Sequence, residues 1–336
     1  MITKIEIENL TVFDKLAVNT DASVNVFIGE NGTGKTQLLK FLYVMCNKSH
    51  PSKVFLRSRI SDLVRKRNLA RSHLKVVHGE KEEALHILNI DNNNMENLIG
   101  EHEEFTFSDD SWYASYSSET GKEKESVFIP AKEMLTHTKG FLSMEKKFKI
   151  PFDKTLVDII VKASGWELKE IPQFAKHIVQ QLEKVMDGIV IVENDEFFIL
   201  KNDGQKISFG MEAEGMKKIG LLWLLLITGN INKDVILLWD EPEANINPRL
   251  IPTIARIILE LGKSGAQIFI ATHDYFLPKY IEVLSSKEDK VAYHALYKTD
   301  NGVQCETDSK FSFLDNNAII DERINLYEAE IEKGLD

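Results

Sequence analysis

The sequence predicts an α/β fold: a parallel core sheet covered by helices on both faces, joined to an N-terminal, mostly antiparallel sheet. Three observations predict it. In the last third, the apolar runs Val235–Trp239, Ile268–Ala271 and Val291–Tyr297 alternate with helical stretches, and continuous apolar strands between helices read as a parallel sheet buried on both sides. Near the start, the apolar run Val24-Asn25-Val26-Phe27-Ile28 leads straight into a glycine-rich turn and then a helix. Before it, Ile2, Ile5 and Ile7 sit among polar neighbours as in a strand, with Val12–Val18 as hairpin partner.

The elements follow in order. Gln37–Cys46 is helical, with Leu38, Leu39, Leu42 and Met45 on its apolar side. Residues 48–75 are basic, nine Lys/Arg facing one acid, Asp62. Residues 80–125 are acidic, thirteen Asp/Glu facing three lysines, and with Asp91-Asn92-Asn93-Asn94 they read as an inserted, loop-rich lobe. Val127–Ile129 is a strand stopped by Pro130, 152–187 is helical, and Ile189–Ile207 reads as a hairpin. Met211–Thr228 is a helix, apolar all round in its second half and therefore buried. Pro248–Leu261 and Ile320–Lys333 are further helices. No internal repeat is visible.

Gly29-Glu30-Asn31-Gly32-Thr33-Gly34-Lys35-Thr36 fits the full Walker A pattern, G-x4-G-K-T, followed by Gln37. The spacing has a mechanical reason. Glycines let the backbone wrap phosphates with N–H groups inward, Lys35 neutralises terminal phosphate oxygens, Thr36 ligates Mg²⁺, and a helix N-terminus adds its positive end. The strand before and helix after set it apart from a merely tight glycine turn. The expected ligands are ATP and Mg²⁺.

Val235–Trp239 ends in Asp240-Glu241. A buried strand delivers side chains rigidly to its carboxyl end, where ligands of open α/β sheets bind. Asp240 is the expected second metal contact, through water, and Glu241 the group that orients and polarises the attacking water. The plainer alternative is a strand ending in solvated acids. Lys35 and Asp240 lie 205 residues apart, so lobes are inserted between the two halves of the site.

Four further segments carry a resemblance. Asp240-Glu241-Pro242-Glu243-Ala244-Asn245-Ile246-Asn247-Pro248 resembles the DEPEANLNP segment of ABC-type ATPases related to SMC, RecF and OLD proteins, often labelled AAA. Ala271-Thr272-His273-Asp274-Tyr275-Phe276-Leu277 resembles their ATHDYFL switch, Ala213-Glu214-Gly215-Met216-Lys217-Lys218 their AEGxRKL signature-helix start, and Phe128–Glu133 their FIPAKE segment. Gly215 precedes Asp240 by 25 residues and His273 follows it by 33, in the family's order. The resemblance spans nearly the whole chain, with 48–125 covered only loosely.

The resemblance implies a single ABC-type head over 1–336 with lobes inserted at about 48–125 and 134–205. Two protomers would sandwich two ATPs, the signature residues Ala213, Glu214, Gly215, Met216 and Lys217 of one facing the γ-phosphate held by the other. His273 would sense that phosphate, and Asn245 and Asn247 would line the seam of a homodimer or higher oligomer. The plainer alternatives are a turn glycine at 215, a satisfied strand-end histidine at 273 and loop caps at 245 and 247. Ala213 departs from the usual signature serine, and no Q-loop glutamine is evident; Lys132 and Glu133 stand in that region, Glu133 being either a metal neighbour or a solvated acid.

Composition bounds the partners. Acids outnumber bases 52 to 41, for a net charge of −11, which argues against a chain that coats nucleic acid all over. Two cysteines, Cys46 and Cys305, fit a reducing compartment, and no apolar run reaches the ~20 residues of a membrane span, so a cytoplasmic protein without membrane contact is expected. The basic segment 48–75 reads either as a DNA contact or as a solvated face neutralised by the acids that follow; the second is favoured. His73, His78 and His86 lack zinc spacing. Three functions compete: an ATPase switch in an anti-phage defence module gating a separately encoded effector, an SMC/RecF-like DNA-repair ATPase, and a transporter's ATP-binding subunit. The absence of sustained heptads weighs against the second, and the signature and insertions against the third.

Overall fold

In the computed structural model, which describes residues 1–46, 71–89, 103–109, 112–118, 125–148 and 153–335, the isoleucine alternation at the start becomes β1 (Lys4–Leu10), paired antiparallel with β2 (Phe13–Asn19). Ile5, Ile7 and Leu10 point inward and are at most 1% exposed. The strand β4 (Arg71–His78) precedes the polar stretch read as loop-rich, and that stretch contains strands β5 (Lys81–Asn89), β6 (Glu103–Asp109) and β7 (Trp112–Ser118). They extend the N-terminal sheet in the order β2-β1-β4-β5-β7-β6. The physical reason is that an antiparallel sheet tolerates one solvated face, so its strands can be half polar. The basic run up to Ala70 lies outside the described residues. Of its end, Lys75 lies 2.5 Å from Glu82 and 3.9 Å from Glu6.

The second six-stranded sheet runs β15-β14-β3-β13-β12-β8. Its members are β3 (Val24–Gly29), β8 (Ser126–Ile129), β12 (Ile236–Asp240), β13 (Gln267–Ala271), β14 (Val291–Thr299) and β15 (Gly302–Asp308). All pair parallel except the edge strand β15, which turns back antiparallel on β14. Successive residues of β3 serve opposite faces. Val24, Val26 and Ile28 join one apolar core, whereas Phe27 joins the other. The first core lies under helices α3 (Lys154–Ala163), α4 (Gln173–Met186), α5 (Glu214–Ile227) and α6 (Ile251–Ser264); the second lies under α1 (Lys35–Cys46) and the N-terminal sheet.

Local chemistry sets several boundaries. The helical stretch 152–187 is two helices, because Pro172 begins α4 and Asp153 caps α3, its carboxylate accepting from the Thr155 N–H at 3.1 Å. The hairpin at 189–207 gains a third strand: β9 (Gly188–Glu193), β10 (Glu196–Lys201) and β11 (Lys206–Ser208). Pro248 starts a short 3₁₀ turn, so α6 begins at Ile251 and ends at Gly265, whose φ of 113° suits glycine. The remaining helices are α2 (Phe141–Phe148), α7 (Phe276–Leu284) and the C-terminal α8 (Ala318–Leu335). Among the described residues, no helix is long and apolar enough to cross a membrane.

Candidate functional site

β3, β12 and β13 are adjacent and parallel, so their carboxyl ends open on one side of the sheet, and the chain places its chemistry there. β3 ends at Gly29, whose φ is 141°; a Cβ on it would stand 2.1 Å from the Leu296 carbonyl oxygen of β14. Only glycine lets the loop begin this close to its neighbour. Gly32 and Gly34 also have positive φ, 81° and 88°. Thr33 is buried and its hydroxyl donates to the Glu30 carbonyl at 2.9 Å, closing the loop. Glu30, Asn31, Gly32 and Gln37 are exposed at the rim. Lys35 Nζ donates to the carbonyls of Gly29 (2.6 Å) and Glu30 (2.9 Å), and burial pulls its pKa below that of an ordinary lysine, offset by the carboxylates of Glu241 and Asp240.

Thr36 Oγ1 lies 3.0 Å from both carboxylate oxygens of Asp240, which is 6% exposed. Burial raises the Asp240 pKa; the Thr36 hydrogen bond opposes this, and nearby Glu241 adds to it. Two hard oxygen donors beside a lysine and a backbone cradle suit Mg²⁺ held jointly with phosphate. Among the described residues, no group of three or more His, Cys, Asp or Glu is placed to hold a metal ion.

Glu241 follows the strand in a left-handed conformation, φ 47°. Its N–H donates to the Ala271 carbonyl of β13 at 2.8 Å, and its Oε1 lies 3.1 Å from His273 Nδ1. Both side chains reach solvent, at 33% and 51% exposure, so they face a common opening. Asp240, Glu241 and His273 are thus assembled from β12 and from the end of β13, beside Lys35 and Thr36.

The signature residues lie on the first turn of α5. Ala213 is its N-cap without a side-chain hydrogen bond, Ala213 and Glu214 are exposed, and Lys217 Nζ is 2.6 Å from Glu214. A Cβ on Gly215 would stand 3.0 Å from the Asn245 carbonyl oxygen, so this glycine lets α5 pack against the loop after β12 in the same chain. Met216 is half-buried. Asn245 and Asn247 are exposed; Asn245 holds φ 63°, and Asn247 accepts from the Arg249 N–H at 3.0 Å, a cap of the 3₁₀ turn. Glu133 is half-buried. Its carboxylate accepts from the Leu135 and Thr136 N–H groups and the Thr136 hydroxyl, capping a 3₁₀ turn.

Sequence reasoning passed over four residues. Lys218, 5% exposed, donates to the Glu241 carbonyl at 2.8 Å. Glu243, 9% exposed, accepts from the Thr272 hydroxyl at 2.6 Å while its Oε2 has no partner. Burial pushes its carboxyl up to about 7. Lys298 Nζ donates to the Asn31 carbonyl at 3.0 Å from the end of β14. The only sequence signal was proximity: Lys218, Glu243 and Thr272 lie inside the segments that carry the resemblance.

Comparison with known proteins gives partial matches. Residues 1–162 match the family model described as "AAA ATPase domain", and residues 142–277 match the one described as "AAA domain, putative AbiEii toxin, Type IV TA system". The L-cystine import ATP-binding protein TcyN of Bacillus subtilis (strain 168) is 26% identical over 106 residues, 28% of this chain and 39% of that protein. The DNA replication and repair protein RecF of Lysinibacillus sphaericus (strain C3-41) is 44% identical over 50 residues, 15% of this chain and 14% of that protein. The chain therefore spans well under half of the length of either curated relative. The Smc head domain of Pyrococcus furiosus, solved with an extended coiled coil and bound to the C-terminal domain of ScpA, superposes with a TM-score of 0.51 at 12% identity, covering 98% of this chain and 99% of that one. Fold, motifs and family matches point the same way: residues 1–162 and 142–277 are each similar to an AAA domain, and the fold is similar to that of an Smc head.

Proposed function

We propose that this chain is a Mg²⁺-dependent ATP hydrolase whose ATP-bound form closes a dimer and whose turnover opens it. The observation that carries the reading is the convergence of Lys35, Thr36, Asp240, Glu241 and His273 at the carboxyl ends of three adjacent parallel strands. Lys35 and the backbone N–H groups of residues 29–36 hold the phosphates. Thr36 and Asp240 hold the metal ion, which when bound neutralises charge on the β- and γ-phosphates. Glu241 orients a water and takes its proton as the water oxygen bonds to the γ-phosphorus and the bond to the bridging β–γ oxygen breaks, leaving ADP and phosphate. His273 contacts the γ-phosphate and shares Glu241's opening. In the dimer, the uncapped α5 N-terminus at Ala213–Lys217 faces the partner's γ-phosphate, to which a helix end contributes a positive partial charge. Asn245 and Asn247 line the seam.

The chain is proposed to be one ATPase domain over 1–336 with insertions at about 48–125 and 134–205, acting in the cytoplasm. Its role is proposed to be a switch in an anti-phage defence module with a separately encoded effector. The AbiEii description of the model matching 142–277 supports this, and the Smc head bound to ScpA offers a precedent for partnered heads. The RecF match supports a second reading, a DNA-repair ATPase acting directly on DNA. Phosphate release and light scattering with and without ATP test the hydrolase and the dimer: no release, or no ATP-dependent dimer in Glu241→Gln, sinks that part. Salt-dependent duplex DNA binding separates the two roles, because direct DNA action requires affinity that falls steeply with salt.

A further inference from the structure

Glu241 is held by its backbone as much as by its strand. Its φ of 47° lies in the left-handed region that favours glycine. Three hydrogen bonds sustain it, one at the N–H and two at the carbonyl, where the Ala244 N–H donates at 3.1 Å beside Lys218. The N–H donates to Ala271 at the end of β13, at 2.8 Å, and the carbonyl accepts from Lys218 Nζ, also at 2.8 Å. Lys218 belongs to neither strand: it is on the second turn of α5, one position past the segment Ala213–Lys217. Its side chain is 5% exposed, and burial pulls its pKa down, with the carboxylates of Glu243, Glu241, Asp240 and Glu214 acting against that. The first turn of α5 also packs on the loop after Glu241: a Cβ on Gly215 would stand 3.0 Å from the Asn245 carbonyl oxygen. The two contacts bracket the loop from Glu241 to Asn245.

We propose that Lys218 is a positioning residue for hydrolysis: by holding the Glu241 carbonyl it keeps the Glu241 carboxylate aimed beside His273, and by riding on α5 it makes that aim depend on where the α5 N-terminus sits. The proposal rests on the reading of Glu241 as the group that activates water. It gives a route by which engagement of one protomer's α5 end can set the catalytic geometry of that same protomer. A competing, purely structural role would make Lys218 a counter-charge for buried Glu243.

The test compares Lys218→Met, Lys218→Arg and the double variant Lys218→Met/Glu243→Gln, reading kcat and KM of phosphate release, equilibrium binding of a fluorescent ATP analogue, and the thermal midpoint. Positioning requires Lys218→Met to lower kcat about 10–100-fold while analogue affinity stays within about twofold. It requires Lys218→Arg to restore most of kcat and Glu243→Gln to restore none. An unchanged kcat in Lys218→Met overturns the proposal. So does a parallel loss of affinity and thermal midpoint that Glu243→Gln repairs, which is the counter-charge result. If Lys218→Met does not fold, Lys218→Gln, uncharged and one bond too short to reach the Glu241 carbonyl as Lys218 does, takes its place with the same expected outcomes. The underlying reading fails separately: a wild-type chain without turnover, or Glu241→Gln at the wild-type rate, removes Glu241 from its role and this proposal with it.

Discussion

Thr36 and Asp240 are 204 residues apart in the chain, yet the Thr36 hydroxyl lies 3.0 Å from both oxygens of the Asp240 carboxylate. The contact joins the first turn of α1 to the last residue of β12, and it brings together the two side chains best suited to a hard divalent ion. Thr36→Val keeps the volume and removes the hydroxyl. It is expected to weaken ATP binding about 10–100-fold in the presence of Mg²⁺, the cost of one hydrogen bond to a charged group. Binding measured in EDTA should change far less. Equal losses in both conditions would remove Thr36 from the metal's shell.

Lys35 and Glu241 should separate binding from chemistry. Lys35→Ala removes the buried ammonium that now donates to Gly29 and Glu30, and is expected to abolish measurable nucleotide binding. Glu241→Gln keeps the side chain's shape beside His273 and removes its basicity. It should retain ATP while slowing phosphate release about 10²–10⁴-fold, the usual contribution of general base catalysis. Single-turnover phosphate release checks both variants.

Glu243 gives stability a pH dependence of defined sign. Its ordinary pKa is 4.5, and burial raises it to about 7, helped by nearby Asp274 and Glu241 and opposed by the Thr272 hydrogen bond. Between those values the unfolded chain has lost a proton that the folded chain retains. Folding is therefore penalised progressively as pH rises from 4.5 through 7, by at most about 3 kcal/mol. Glu243→Gln removes the titration. Its stability relative to wild type should be greater at pH 8 than at pH 5, as read from urea unfolding at both. A difference that does not change with pH would contradict the assignment.

Gly29 and Gly204 offer a matched pair. Both have positive φ, 141° and 89°, but a Cβ at 29 meets the Leu296 carbonyl at 2.1 Å, whereas one at 204 meets nothing within 4 Å. Gly204→Ala should cost about 1–2 kcal/mol, the backbone strain alone. Gly29→Ala should cost roughly 4 kcal/mol or more, because a strand must move. Equal costs in chemical denaturation would mean that the approach of β14 does not constrain the loop.

What the sequence made legible was local or periodic. The strand, glycine turn and helix around residues 24–46 are contiguous, and the apolar runs of β12, β13 and β14 need no partner to be recognised. The antiparallel strands at 71–118 were obscured because half their residues are polar, which looks like a loop until a neighbouring strand supplies the hydrogen bonds. β15 and α7 were missed for a similar reason: Gly302–Asp308 is a polar edge strand, and Phe276–Leu284 carries a proline at 278. In the site, proximity along the chain could suggest Asp240 and Glu241 together. It could not show that Lys218 reaches the Glu241 carbonyl, that Glu243 is sealed against Thr272, or that Glu133 spends its carboxylate on capping. Each of those depends on how distant segments pack.

The placement of β3 also governs how this protein can be made. All six of its residues are buried, and both of its neighbours come from far downstream: β13 begins at Gln267 and β14 at Val291. A ribosome delivers the glycine loop at residues 29–36 more than 200 residues before it delivers either strand that supports it. Until then the apolar edges of Val24–Gly29 have no native partner, and long-range parallel pairing forms slowly. The nascent chain is thus exposed to misassociation throughout that interval, and the glycine loop is made long before it is secured.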